Sequence, residues 1–114
     1  MNRTFVRLVG AAALTTACAS TSPPQQRLDA VRGELAAAEA VEAHRYPNSA
    51  LHLQLAREQV EKARALMRAG KNERADFMLR RAQADAELAI ALTKNAPILQ
   101  KCEEAKQALA KVKG

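Results

Sequence analysis

Residues 47–93 read PNSALHLQLAREQVEKARALMRAGKNERADFMLRRAQADAELAIALT, and this stretch decides the fold. Apolar residues recur along its first half at steps of three and four: Leu53, Ala56, Val60, Ala63 and Met67. The second half repeats the spacing: Ala75, Leu79, Ala82, Ala86 and Ala89. Such spacing aligns side chains along one side of a helix, so we expect two amphipathic helices whose apolar stripes pack together.

A short turn, Gly70-Lys71-Asn72, separates the two predicted helices. Gly70 suits the left-handed residue that ends a helix, and Asn72 is expected to cap the next helix through its side-chain oxygen. Because so short a turn makes the helices antiparallel neighbours, residues 48–94 are predicted to form an αα-hairpin.

Further helices are predicted on both sides of the hairpin. The first runs from Arg27 to Arg45, with Pro47 ending it and Asn48 or Ser49 capping the following helix. The last starts after Asn95-Ala96, with Pro97 in its first turn. The apolar residues of these helices also follow helical spacing: Leu28, Val31, Leu35 and Ala38, then Ile98, Cys102, Ala105, Leu109 and Val112. The expected fold is an all-α, up-and-down bundle of three to four helices over residues 27–114.

The composition agrees with a small helical domain. The 114 residues are 48% hydrophobic but only 3% aromatic, and no stretch alternates long enough to indicate a strand. The net charge is +6, but Arg3 and Arg7 lie in a segment expected to be removed. The remainder is mildly basic, and with so few aromatic side chains for base stacking we expect no nucleic-acid partner.

The first 17 residues have the pattern of a secretory signal, with a short positive region followed by about ten apolar residues. The sequence LTTAC that ends at Cys18 resembles the lipobox of bacterial lipoproteins, although Thr15 stands where leucine is commoner. The resemblance implies cleavage before Cys18, acylation of that cysteine, and a tether over residues 18–26. Because Ala19 rather than aspartate follows, it also implies the outer membrane, facing the periplasm. An ordinary cleaved signal and an uncleaved anchor are the alternatives.

The hairpin resembles an uncharacterised bacterial lipoprotein family, the domain of unknown function 4398. The similar segments are LAR at 55–57, ARAL at 63–66, AGKNERA at 69–75 and AQADAELA at 82–89. The resemblance implies a membrane-anchored helical envelope protein and supplies no catalytic residues. The same rhythm resembles one tetratricopeptide repeat, which would bind a peptide, but no second copy follows at the 34-residue period that such arrays need.

Candidate site residues are few. Arg64, Arg68, Lys71 and Arg74 surround the hairpin turn and could bind an anion such as a lipid head group, although a solvated helix end is the favoured interpretation.

His44 and His52 flank one turn but are too few for a zinc site, so no metal is expected. Cys102 lies on the apolar stripe of the last helix and is expected to be a small buried residue; exposed, it could bridge two copies.

These patterns predict a structural or interaction protein. No nucleophile stands beside a base and no glycine-rich loop precedes a helix, so we expect neither an enzyme nor a cofactor. More leucines and methionines occur than one core needs, which indicates a partner: an envelope protein or a second copy, besides membrane lipid at Cys18. An anion or lipid-head-group carrier, and a coiled-coil spacer similar to murein lipoprotein, are the alternatives.

Overall fold

A computed structural model describes residues 21–114. It contains three α-helices, α1 (Gln25–Ala40), α2 (Pro47–Arg68) and α3 (Asn72–Lys113), with a single 3-10 turn at Ala43–Arg45 between α1 and α2. All regular structure within the described residues is helical, which confirms the predicted all-α bundle. None of these helices is long and apolar enough to cross a bilayer.

The hairpin turn joins α2 to α3 through a Schellman motif. Gly70 has a φ of 70°, a left-handed conformation that favours glycine. Its N–H donates to the carbonyl of Met67 at 3.0 Å, and the N–H of Lys71 donates to the carbonyl of Leu66 at 2.9 Å. The two bonds satisfy carbonyls left free by the end of α2. The predicted role of Gly70 is therefore confirmed.

The predicted cap at Asn72 is wrong. Asn72 is the first residue of α3, Lys71 precedes it at the capping position, and no side-chain bond caps the helix. The Asn72 amide nitrogen donates instead to the carbonyl of Thr21. This bond holds the chain that leads into α1 against the hairpin tip.

α1 packs along α3 and contacts α2 less extensively, and the three helices run up, down and up. At the hairpin tip, Arg27 of α1 forms an ion pair with Asp76 of α3 at 2.5 Å. The pKa of Asp76 is lowered mainly by this hydrogen bond; partial burial opposes the effect, and Arg80 adds to it at 2.9 Å. At the other end, Ala38 belongs to the same apolar cluster as Ala89.

The core consists mainly of the predicted stripes of α1, α2 and the first part of α3. One apolar cluster near the tip joins all three helices: Leu28, Val31, Val60, Ala63, Ala75, Leu79 and Ala82. A second lies at the opposite end of the bundle: Ala38, Ala43, Leu53 and Ala89. Because alanine fills so many of these positions, the backbones approach closely and the few larger side chains supply most of the buried apolar area.

The boundaries of the first two helices differ from the predicted ones. α1 begins at Gln25 and ends at Ala40, five residues before the predicted end. Glu42 then takes a left-handed conformation with a φ of 57°. α2 begins at Pro47, whose missing N–H costs little in the first turn, and neither Asn48 nor Ser49 caps it. Ser49 is instead buried.

The break predicted at Pro97 is wrong, because α3 continues without interruption from Asn72 to Lys113. A proline inside a helix removes one hydrogen bond to the fourth carbonyl before it, which is normally costly. Pro97 is exposed and lies just beyond Thr93, the last buried residue of α3. The carbonyl that loses its partner is that of Thr93, at the point where α3 leaves the bundle.

α3 is much longer than the helices against which it packs. Its 42 residues span about 63 Å, whereas the 22 residues of α2 span about 33 Å. We call residues 97–113 of α3 the extension. Every residue of the extension is exposed, so it projects from the bundle as a single helix.

Candidate partner-binding surface

The extension exposes large apolar side chains to solvent. Ile98, Leu99 and Leu109 are 61%, 60% and 56% exposed, and Val112 is 84% exposed. Single exposed apolar residues are common on protein surfaces, but several along a helical segment whose residues are all exposed indicate a surface for a partner.

Five residues form a continuous line along the extension, which we call the apolar seam: Ile98, Cys102, Ala105, Leu109 and Val112. Their spacing alternates between four and three residues, which is the a and d pattern of a heptad repeat. In this register Cys102 and Leu109 take a positions and the other three take d positions. The seam occupies only two of the seven heptad positions, a and d, and these are the positions through which one helix pairs with another in a coiled coil.

Lysines border the apolar seam on both sides. Lys94 and Lys101 take g positions, and Lys106 and Lys113 take e positions. All four are exposed, and Lys106 makes only a long contact of 3.8 Å with Glu103. In the same register Glu103 and Glu104 take b and c positions and face away from the seam. Positive charge is therefore concentrated next to the apolar side chains.

The prediction that Cys102 is buried is wrong, because its side chain is exposed. The error has a simple cause: the stripe to which Cys102 belongs is apolar, as predicted, but lies beyond the ends of α1 and α2. The same holds for Ile98 and Leu109. Periodicity identifies the apolar face of a helix and not what covers that face.

A shallow cleft lies where the extension leaves the bundle. Its volume is about 240 Å³, and residues from the start of α2 and from α3 line it, among them Tyr46, Pro47, Leu92 and Leu99. Leu99 belongs to the extension, so the cleft continues from the bundle onto the projecting helix.

The basic residues around the turn, Arg64, Arg68, Lys71 and Arg74, lie at the opposite end of the bundle. We call them the basic tip. Arg64 is occupied, because it donates to Glu61 at 2.6 Å. Arg68, Lys71 and Arg74 are exposed, and none of the three forms an ion pair within residues 21–114. Three of the four predicted residues are therefore available to an external anion.

The chain enters the bundle at this same tip, because Thr21 accepts the hydrogen bond from Asn72. Cys18, the predicted acylation site, lies outside the described residues. It lies three positions before Thr21, which corresponds to at most about 11 Å of extended chain.

The two histidines have different surroundings. His44 is exposed in the 3-10 turn. His52 of α2 contacts Asp85 of α3, with its Nδ1 2.8 Å from a carboxylate oxygen, and the other oxygen of Asp85 accepts a bond from Gln59 at 2.7 Å. Sequence spacing gave no sign of this pair, because its members lie 33 residues apart and meet only across the hairpin.

This polar cluster connects α2 to α3 and contains no nucleophile in contact with the histidine. Within residues 21–114 no three His, Cys, Asp or Glu side chains are grouped closely enough to hold a metal ion. The described residues expose apolar side chains and positive charge along the extension, and positive charge at the basic tip.

Comparison with known protein families, with curated proteins and with solved structures finds no match for this chain. The surface must therefore be interpreted from its own residues. The spacing of the seam is visible in the sequence, but the sequence does not mark Leu99 and the flanking lysines as part of a binding surface. The surface becomes recognisable once the helix boundaries show that α3 is much longer than α2.

Proposed function

We propose that this protein is a membrane-anchored envelope lipoprotein that acts as an adaptor, with no catalytic activity. Acylated Cys18 would attach one end to the periplasmic face of the outer membrane, and the extension at the other end would bind a partner protein. The observation that carries the proposal is the extension itself, a projecting helix with four large apolar side chains exposed.

The geometry of the bundle supports this division of roles. The chain enters at the hairpin tip, where Thr21 meets Asn72. Pro97, where the extension begins, lies 25 residues further along α3, or about 38 Å away. An anchor near the tip therefore leaves the extension free to reach away from the membrane. The lipobox resemblance of residues 14–18 and the resemblance of the hairpin to a lipoprotein family support the anchor.

Site-specific photo-cross-linking in cells that produce the full chain tests the adaptor role. A photoreactive residue placed at Leu109, on the apolar seam, should capture one defined protein, identified by mass spectrometry. The same residue placed at Gln107, on the opposite side of the helix, is the matched control and should not. Equal capture at both positions, or capture at neither, would contradict the adaptor role.

Mass spectrometry of the mature chain tests the anchor separately. We expect a chain that begins at Cys18 and carries acyl groups, and a Cys18→Ser variant that leaves the membrane fraction. A mature chain that retains residues 1–17 would refute the anchor and leave the cross-linking result to be interpreted on its own.

A second candidate function is the binding of anionic lipid head groups by the basic tip. One observation favours it: Arg68, Lys71 and Arg74 are exposed at the end of the bundle where the tether enters. An anchor within about 11 Å of that end would hold these residues against the head groups.

Vesicle flotation tests this second function with the Cys18→Ser chain, so that acylation does not contribute. We expect the chain to float with vesicles of phosphatidylglycerol and phosphatidylcholine, and binding to fall when Arg68, Lys71 and Arg74 become glutamine. The matched control replaces Lys101, Lys106 and Lys111 by glutamine, which removes the same charge from the other end. If both triple variants lose binding equally, the tip has no special role.

A further inference from the structure

We infer that the partner of the extension is a helix that carries acidic residues on both sides of an apolar heptad stripe, and not a second copy of this chain. The inference rests on the proposed adaptor function and specifies the partner's chemistry. It is argued from the arrangement of charge around the apolar seam.

The apolar seam supplies a surface for one further helix. Leu109 and Val112 near its end and Ile98 at its start are more than half exposed. The two positions in seven that the seam occupies are those through which two helices interdigitate in a coiled coil. A broad apolar face and aromatic side chains, which favour insertion into lipid, are not found between Pro97 and Lys113.

The residues beside the seam decide which helix can pair with it. In a coiled coil the e and g side chains of one helix lie against those of the other and select the partner by charge. Between Lys94 and Lys113 every charged residue at these positions is lysine. The two glutamates of the extension take positions away from the seam and cannot compensate across the interface.

Self-pairing would bring lysines together in either orientation. In a parallel pair, Lys101 of each copy would lie against Lys106 of the other. In an antiparallel pair, e residues meet e residues and g residues meet g residues. Leu99 and Ala108 are the uncharged residues at these positions, so registers that align Lys106 or Lys101 with its counterpart again place lysine against lysine. Like charges in these places oppose association, whereas glutamate or aspartate on the partner would turn each contact into an attraction.

Binding to designed helices tests the inference. The acidic probe is a synthetic peptide of several heptads with Ile at a, Leu at d and Glu at every e and g position; the basic probe carries Lys there instead. We expect the purified full chain to bind the acidic probe and to bind the basic probe at least about tenfold more weakly.

Reversing the charge of the extension should reverse this preference. A variant with Lys101→Glu and Lys106→Glu should lose the acidic probe and gain the basic one. The matched control, Lys111→Glu, changes a lysine on the far side of the same helix and should keep the wild-type preference. Because all three residues are exposed, the variants should fold as the wild type does, which circular dichroism checks.

Each other outcome overturns the inference in a recognisable way. Equal binding of both probes would mean that apolar contact alone selects the partner. Dimerisation of the wild-type chain at the probe concentration would make a second copy the occupant. Binding to phosphatidylglycerol vesicles through Lys101 and Lys106, without binding to the acidic probe, would make lipid the occupant. A defined cross-link at Leu109 together with any of these would leave the adaptor role standing while the acidic helix failed.

Discussion

The clearest prediction compares one chemical change at two places on α3: Leu79→Ala in the bundle and Leu109→Ala on the extension. Leu79 is completely buried and packs in the cluster that joins all three helices. Leu109 is 56% exposed. The two variants lose the same atoms from the same helix, so any difference between them measures what surrounds each side chain.

The expected loss at Leu79 follows from burial. A leucine removed from a core costs about 2–5 kcal/mol, and more where the neighbours cannot move into the space. Here the neighbours are short: Ala63, Ala75 and Ala82 among them. We therefore expect a loss of about 3–4 kcal/mol, a large part of the stability of so small a domain. At Leu109 the change should stay within about 0.5 kcal/mol.

Urea unfolding followed by circular dichroism at 222 nm measures both values. With a slope of about 1.5 kcal/mol per M, Leu79→Ala should lower the midpoint by about 2 M, and Leu109→Ala should leave it almost unchanged. Each curve is recorded at two protein concentrations, because self-association through the seam would make the midpoint depend on concentration. A Leu109→Ala variant as unstable as Leu79→Ala would refute the division of α3 into a packed part and a free extension.

Three further predictions concern the bundle and the start of the extension. Gly33→Ala should stabilise the chain by about 0.5–1 kcal/mol in urea unfolding, because a methyl group there meets nothing within 4 Å and α1 gains helix propensity; an unchanged or lower midpoint would contradict this. The pKa of Asp76 lies below its ordinary value of 3.8, so its pairing with Arg27 stabilises the fold above that value and the stabilisation is lost as pH falls through the lowered pKa. Asp76→Asn should then lower the free energy of unfolding by less than about 1 kcal/mol at pH 7 and make it less dependent on pH below about 4. A variant whose stability falls with acid as steeply as that of the wild type would count against the pair. Pro97→Ala restores one hydrogen bond and should slow amide hydrogen exchange in residues 94–101 without affecting exchange around Leu53, whereas faster exchange would show that the proline supports the helix.

The hairpin could be predicted from sequence because its signals are local. The stripe from Ala75 to Ala89 is buried as its spacing indicates, and Gly70 takes the left-handed conformation that its place between two periodic runs requires. Both properties depend on residues within a few turns of each other. The helix ends were harder, since a capping side chain competes with other partners, as Asn72 does when it donates to Thr21.

The exposure of the extension could not be predicted, because it depends on which other helices reach the apolar stripe and not on the residues of the stripe itself. Pro97 usually marks a helix start, and the residues after it have the spacing of a core stripe. Whether such a stripe is covered depends on the lengths of α1 and α2, which end before they reach it. The contact between His52 and Asp85 could not be predicted for a related reason. It depends on how α2 and α3 align with each other, and residue spacing within one helix does not reveal that alignment.

The central claim is that α3 leaves the bundle as one continuous helix, and the distance between two spin labels on it tests that claim most directly. Labels on cysteines introduced at Arg74 and Gln107, with Cys18 and Cys102 replaced by serine, are separated by 33 residues of helix. Pulsed electron spin resonance should give a distance of about 50 Å. A distance near 20 Å would mean that the chain folds back at Pro97 and covers its own seam, and the adaptor proposal would lose its binding surface.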